Sequence, residues 1–261
     1  MNRFRHNDQL ASSRAFRLTV IVILAISLPL FFISWNVRIV TNAQTFYEWG
    51  FDNYNVQRTT GLDEAALSSA AEQLINYFNN DEEFLDIRVN YLGGEIELFS
   101  QREITHMSDV KDVINAVFTG GWITGGVLIV VVSGGFFLLG RRFLPLLRAG
   151  IVWSTITGLT IAALFGIATL IDFNTTFRLF HEVTFRNDFW KLSPSQSVLL
   201  RMFPQGFWLT ATLMLVVATA LQFGVVYGAA TWAWRRFGDE GASAAAQPAL
   251  DSSGSAAEPL I

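Results

Sequence analysis

Residues 122–171 read WITGGVLIVVVSGGFFLLGRRFLPLLRAGIVWSTITGLTIAALFGIATLI. Two apolar runs, 122–140 and 150–171, contain no Asp, Glu, Lys or Arg, and the nine residues 141–149 between them carry Arg141, Arg142 and Arg148. A hydrocarbon core about 30 Å thick takes about 20 residues of helix to cross. Each run meets that length. Short loops rich in arginine stay on the cytoplasmic side, so this stretch predicts a pair of spanning helices joined by a basic cytoplasmic loop.

Two further runs lie outward of the pair. Residues 17–36 (RLTVIVILAISLPLFFISWN) and 207–230 (FWLTATLMLVVATALQFGVVYGAA) are equally apolar, which gives four expected spans. The first follows a basic segment, residues 1–16, with Arg3, Arg5 and Arg14. Its apolar run exceeds a secretory h-region and no small-x-small cleavage site follows, so it reads as a retained anchor. Arg235 and Arg236 follow the fourth run. Arginine at the three short flanks therefore predicts both termini in the cytoplasm, with 41–121 and 172–206 on the outer side. Residues 236–261 are biased toward Ala, Ser, Gly and Pro and read as a disordered cytoplasmic tail.

The outer part is acidic. Between Glu48 and Asp112 fourteen Asp or Glu face four Lys or Arg, a balance that excludes nucleic acid as a partner. The chain has no cysteine, which removes disulfides, thiolate metal sites and a thiol nucleophile. It also lacks a Gly-x-Ser-x-Gly elbow, a P-loop and a His-Glu-x-x-His motif, so no cofactor is expected.

Within 41–121 the pattern predicts a small cap. Asp63 opens DEAALSSAAEQLINYFNN, where Leu67, Ala71, Leu74 and Phe78 recur at helical spacing. Ile87, Val89 and Tyr91 alternate before Gly93-Gly94, with Ile96 and Leu98 beyond, as in a β-hairpin. Met107, Val110, Val113, Ile114 and Val117 form a helical face running into the span at 122, with His106 at or just before the helix start. In 172–206, a loop carrying His181, Ser193-Pro194 reads as the start of a short interfacial helix flanked by Trp190 and Trp208. The glycine pairs, notably Gly121 with Gly125, predict close helix packing. The fold class is thus an all-α polytopic membrane protein with four transmembrane helices, a small α/β extracytoplasmic cap of helix plus β-hairpin, and an interfacial helix.

Chemistry concentrates on the outer side. His106 and His181 both fall within about fifteen residues of a span edge, and histidine can accept and return a proton near neutral pH. Each can equally serve a structural end, bonding a backbone carbonyl. His106, Asp109 and His181 form a two-His-one-carboxylate set of the kind that suits zinc or iron, but His-x-x-Asp is common by chance and the expectation is a site without metal. Arg186 can hold a phosphate, a carboxylate or a carbonyl oxygen, or simply pair with an acidic neighbour. Asn187 and Trp190 cluster beside it.

These motifs resemble those of the lipoprotein intramolecular transacylase family of four-span bacterial membrane proteins. The resemblance rests on Arg58-Thr-Thr-Gly-Leu62, His106-Met-Ser-Asp-Val110, Phe180-His-Glu-Val-Thr-Phe-Arg-Asn-Asp-Phe-Trp190 with Pro194, Phe203-Pro204 and Phe207-Trp208, and covers about residues 10–235. One departure is that the family often carries an acidic residue after the tryptophan, where this chain has Leu192-Ser-Pro-Ser-Gln-Ser-Val198, so Ser193 or Ser197 stands there.

The resemblance implies an acyltransferase in the bacterial cytoplasmic membrane. Its substrate and partner is a lipoprotein whose cysteine carries diacylglycerol, met within membrane lipid, and the sn-2 acyl chain moves to the free α-amino group. His106 and His181 are then catalytic, with Arg186, Asn187, Trp190, Asp109 and Arg58 as substrate-binding or oxyanion candidates. The alternative is a non-catalytic membrane protein that binds a partner or senses pH through its acidic cap. Oligomeric state is not legible in the sequence.

Overall fold

The computed structural model describes residues 13–245, with side chains to residue 236. The readings placed on Arg3, Arg5 and residues 246–261 lie outside that range.

Three stretches are long and apolar enough to cross a membrane: Arg14–Thr41, Gln101–Ile171 and Gln205–Arg236. The middle one is 71 residues long and folds back at a single 3-10 turn, Gly140–Phe143. Gly140 has φ +53° and ψ −136°, a conformation that glycine adopts without a Cβ penalty. The long helices are therefore α1 (Arg14–Thr41), α5 (Gln101–Leu139), α6 (Leu144–Ile171) and α9 (Gln205–Ala245). Between α1 and α5 come α2 (Gln44–Asn53), α3 (Val56–Thr60), α4 (Glu64–Phe78) and strands β1 (Arg88–Tyr91) and β2 (Gly94–Glu97). Between α6 and α9 lie α7 (Phe173–Thr184) and α8 (Val198–Met202).

Each long helix turns one apolar face outward. On α1, Leu18, Val22, Ile26 and Leu30 recur every four residues and are all about half exposed. Such a stripe is what hydrocarbon, rather than water, would cover. The opposite face, Val20, Leu24, Ser27 and Ser34, is buried against α5 and α6.

Small residues allow close approach. A Cβ on Gly150 would fall 2.3 Å from Leu24 Cδ1, and one on Gly158 would fall 2.0 Å from Phe223 Cε2. Gly121 and Gly125 face Ser34 and Phe31 of α1, so the glycine spacing does serve helix packing. Polar bonds fasten the same interfaces. Ser154 Oγ donates to Leu24 O at 2.8 Å. Asn36 and Gln222 exchange two amide hydrogen bonds of 2.9 Å, and Asn36 also donates to Thr219 Oγ1.

The cap forms a second core. Asp63 caps α4 by accepting from Ala66 N at 2.8 Å, and Leu67, Ala71, Leu74 and Phe78 are buried. β1 and β2 pair antiparallel around Leu92 and Gly93, both at positive φ. Phe46, Tyr47 and Phe51 of α2 pack with Phe203 and Phe207 from the far side of the sequence. The cap therefore sits directly on α8 and the start of α9.

Several boundaries differ from the sequence expectation. The loop expected at 141–149 is mostly helix, because Pro145 falls in the first turn of α6, where its missing N–H costs nothing. The start expected at Ser193-Pro194 moves to Ser197, whose Oγ accepts from Leu200 N at 3.0 Å. Helix continues through 236–245, where a disordered tail was expected. Most important for the site, the stretch around His181 is not a loop. It is the helix α7.

Candidate active site

α7 follows α6 after one residue. Asp172 ends the first helix and caps the second, accepting from Thr175 N at 3.1 Å and from Thr175 Oγ1 at 2.7 Å. Phe173, Thr176, Phe177, Phe180 and His181 then fall at i, i+3, i+4, i+7 and i+8, one helical face, and all five line one cavity. Charged Arg178 and Glu182 pair on the other side at 3.4 Å.

His106 reaches the same cavity from α5. It sits in the second turn of that helix, well ahead of the uncharged run that begins at Trp122. The two imidazole centroids are 5.9 Å apart and both rings are buried. A cage of aromatic rings excludes water from His181, with Phe177 at 4.2 Å, Trp190 at 5.2 Å, Phe180 at 5.3 Å and Phe185 at 5.4 Å. The cavity, about 390 Å³, is lined mainly by apolar side chains.

The environment sets the protonation state of both rings. Burial, more than any other cause, pushes the His106 pKa down to about 4; His181 adds to the fall and Asp109 opposes it. Burial lowers His181 as well, partly offset by its bond to the Phe177 carbonyl. Both are therefore neutral at pH 7. His181 Nδ1 lies 2.7 Å from Phe177 O; a carbonyl can only accept, so Nδ1 carries the proton and Nε2 keeps its lone pair. For His106, Nδ1 is buried with no protein partner.

A test follows from the sign of these shifts. An unfolded imidazole titrates near 6.5, so between that pH and the lower folded values the unfolded chain holds the extra proton. The contribution to stability is complete above 6.5 and is lost as pH falls toward about 4 for His106. ¹⁵N spectra of histidine-labelled protein are expected to show both rings neutral at pH 6.5. An imidazolium midpoint at or above 6.5 for either ring would refute this.

One face of α5 holds the segment that follows α7. Arg102, His106 and Asp109 are spaced by four and three residues. Arg102 donates to the carbonyl oxygens of Asp188 and Lys191 and lies over the Phe189 ring. Asp109 accepts from Asn187 Nδ2 at 2.9 Å. A second carboxylate of α5, Glu103, six residues before Asp109, is almost fully buried and accepts four hydrogen bonds. Its donors are Ser100 N and Ser100 Oγ, both at 2.7 Å, Ser197 Oγ at 2.7 Å and Leu199 N at 2.8 Å.

Of the residues singled out from sequence, the structure brings together His106, His181 and Trp190. Asn187 lies beside them, but its amide is committed on both ends, to Asp109 and to Phe189 N. Arg186 is exposed and does not line the cavity. Arg58 lies in a separate open cleft with Asp52 and Asp63. Its motif is an end of helix: Gly61, at φ +77°, closes α3, and Thr59 Oγ1 donates to Arg201 O at 3.2 Å. Among the described residues no group of three His, Asp or Glu is placed to hold a metal ion. Arg102 and Glu103 were missed, although Ser100-x-x-Glu103 is a capping-box signature. Ser197, which stands in the stretch where the resembled family often has an acidic residue, binds Glu103.

Long helices with apolar outward faces under a small cap, and a pair of buried histidines at an apolar cavity, define an integral membrane protein. The sequence matches the family described as lipoprotein intramolecular transacylase Lit over residues 22–208. The chain belongs to that family of membrane acyltransferases, which act on lipoproteins. An uncharacterized protein of Aquifex aeolicus (strain VF5) is 28% identical over 211 residues, covering 80% of this chain and 92% of that one.

The structure is also similar to that of the membrane integral lipoprotein intramolecular transacylase Lit from Bacillus cereus. That similarity has a TM-score of 0.68 at 17% identity and covers 86% of this chain and all of the other. A variant of the same Bacillus cereus protein with one histidine replaced by alanine aligns with a TM-score of 0.64 at 16% identity, covering 85% and 95% of the two chains. At these identities the likeness speaks for the fold.

Proposed function

We propose that this chain moves the sn-2 acyl chain of a diacylglyceryl-cysteine lipoprotein onto that cysteine's own α-amino group, leaving a lyso N-acylated product. α1, α5, α6 and α9 are its four spans, both termini are cytoplasmic, and the histidine pair faces outward. The observation that carries the reading is the hydrogen bond from His181 Nδ1 to Phe177 O. It leaves Nε2 as a free base in a dry pocket, 5.9 Å between centroids from a second neutral histidine.

The α-amine has a reference pKa of about 7.7 to 8.0 and must reach the ester uncharged. Its lone pair adds to the sn-2 carbonyl carbon while its proton passes to His181 Nε2. His106 polarises the carbonyl oxygen or protonates the leaving alkoxide. The carbon–oxygen bond to the glycerol then breaks, and the oxygen departs with a proton. One C–N bond replaces one C–O bond and one proton moves from nitrogen to oxygen, with no need of water, metal or cofactor.

Nucleophile and ester belong to one molecule, so the cavity's work is to fold the lipid back on the amine. Ideal alignment of this kind is worth about 7 to 11 kcal/mol. The apolar walls suit the acyl chains, and exclusion of water disfavours hydrolysis.

The test is mass spectrometry of the N-terminal lipopeptide of a reporter lipoprotein, made in a host lacking its own N-acylating enzyme. The native chain is expected to yield an N-acylated lyso cysteine. Released fatty acid with a free amine would instead define a hydrolase, and an unaltered diacylglyceryl cysteine would favour a sensing or partner-binding role for the cap.

A further inference from the structure

Thr169, two residues before the end of α6, has a hydroxyl that the fold leaves unused. Its side chain is only 1% exposed, its Oγ1 has no hydrogen-bond partner in the protein, and it lines the same cavity as the two histidines. Hydroxyls in apolar helices ordinarily return their proton to the carbonyl four residues earlier. Thr124, Ser133 and Thr155 all do so here, at 2.6 to 2.8 Å. Thr169 does not. An unpaired hydroxyl beside apolar walls is unfavourable unless something enters to accept from it.

The cavity's other polar atoms narrow what that something is. Phe173 and Phe177, which also line the cavity, lie between Thr169 and His181 in the chain; their ring centroids are 5.4 Å apart, and Phe177 is 4.2 Å from His181. A diacylglyceryl group brings two ester carbonyls on adjacent carbons. One must lie at the histidines to react. The other needs a donor elsewhere in a pocket that offers few.

We propose that Thr169 is a substrate-binding residue whose hydroxyl donates a hydrogen bond to the carbonyl oxygen of the ester that is not transferred, the sn-1 ester. This rests on the acyl-transfer reading of the site. It makes Thr169 a determinant of lipid register: with the sn-1 carbonyl held, the sn-2 ester is the one presented to the amine. A donor here selects diacyl lipid over lipid with an sn-1 ether.

Binding is read separately from chemistry by using a diacylglyceryl lipopeptide whose amine is acetylated and cannot attack. Thr169→Val, of equal volume, is expected to weaken its binding about three- to tenfold, the worth of one neutral hydrogen bond, while Thr169→Ser retains it. The sn-1 ether analogue should bind the native chain more weakly by the same factor. It should bind Thr169→Val no more weakly than the ester does. With the reactive lipopeptide, Thr169→Val should raise KM and lower kcat/KM by at least the factor lost in binding.

Equal affinity of the native and Thr169→Val chains for the blocked ester, as expected if only a water uses the hydroxyl, would overturn the proposal. So would losses from the ether and from the valine that multiply. If the native chain forms no N-acyl product while the binding pattern holds, the transfer reading falls and the Thr169 contact stands. Product with unchanged binding gives the reverse.

Discussion

Replacing His181 by glutamine is expected to slow N-acyl transfer by about 10²- to 10⁴-fold, the range that positioned proton transfer supplies. Glutamine is the sharper test than alanine. Its amide can still donate toward the Phe177 carbonyl and fill much of the space among Phe177, Phe180, Phe185 and Trp190, but it offers no base. Alanine would also empty an aromatic cage and confound chemistry with packing. The readout is the lyso N-acyl product of the reporter lipoprotein at matched protein level and unchanged thermal midpoint. His106→Gln should fall by a comparable factor, and the double variant should be little worse than either single one, because residues that act as a unit are not additive. Product at native levels from either single variant would remove that histidine from the mechanism.

The second large effect is on folding. Glu103→Ala deletes the acceptor for four donors at once, two on its own helix cap and two at the start of α8. Hydrogen bonds to charged groups are worth about 1.5 to 3 kcal/mol each, but the donors left behind are partly able to relax. A loss of about 3 to 5 kcal/mol is expected, in the range for breaking a buried charged contact. Glu103→Gln, which keeps one acceptor oxygen, should lose about half as much. Denaturation in detergent measures it, and a change below about 1 kcal/mol for the alanine variant would mean the four bonds are not a unit. Activity should fall along with stability, since Leu199 and Leu200 of α8 line the cavity together with Trp190 and Phe207.

The long helices were legible because their apolar residues come in uncharged blocks, a signal that needs no tertiary information. The cap helix was legible from Asp63 and the hairpin from alternation. α7 was not, because Asp172 alone separates it from α6 and its helical face of Phe173, Thr176, Phe177, Phe180 and His181 directly continues an apolar run. The short α2 and α3 carry no strong period and are held by aromatic contacts across some 150 residues of sequence, such as Tyr54 Oη donating to Gly206 O. The pairing of His106 with His181 was anticipated from topology and motif. What surrounds it was not: Glu103 meets Ser197 from 94 positions away, and nothing local in either segment announces the other. Motif residues alone did not show that Arg58 lies in a separate cleft or that the Asn187 amide is bonded at both ends.

Asp172 is the whole connection between α6 and α7, and α5 runs without a break from His106 into its apolar run. Neither histidine hangs on a loop that must be stilled before reaction. The proposed substrate likewise carries amine and ester on one short covalent frame. On both sides of the encounter, then, most of the disorder that a two-body reaction would have to surrender at every turnover is given up once, when the chain folds and when the lipid is attached.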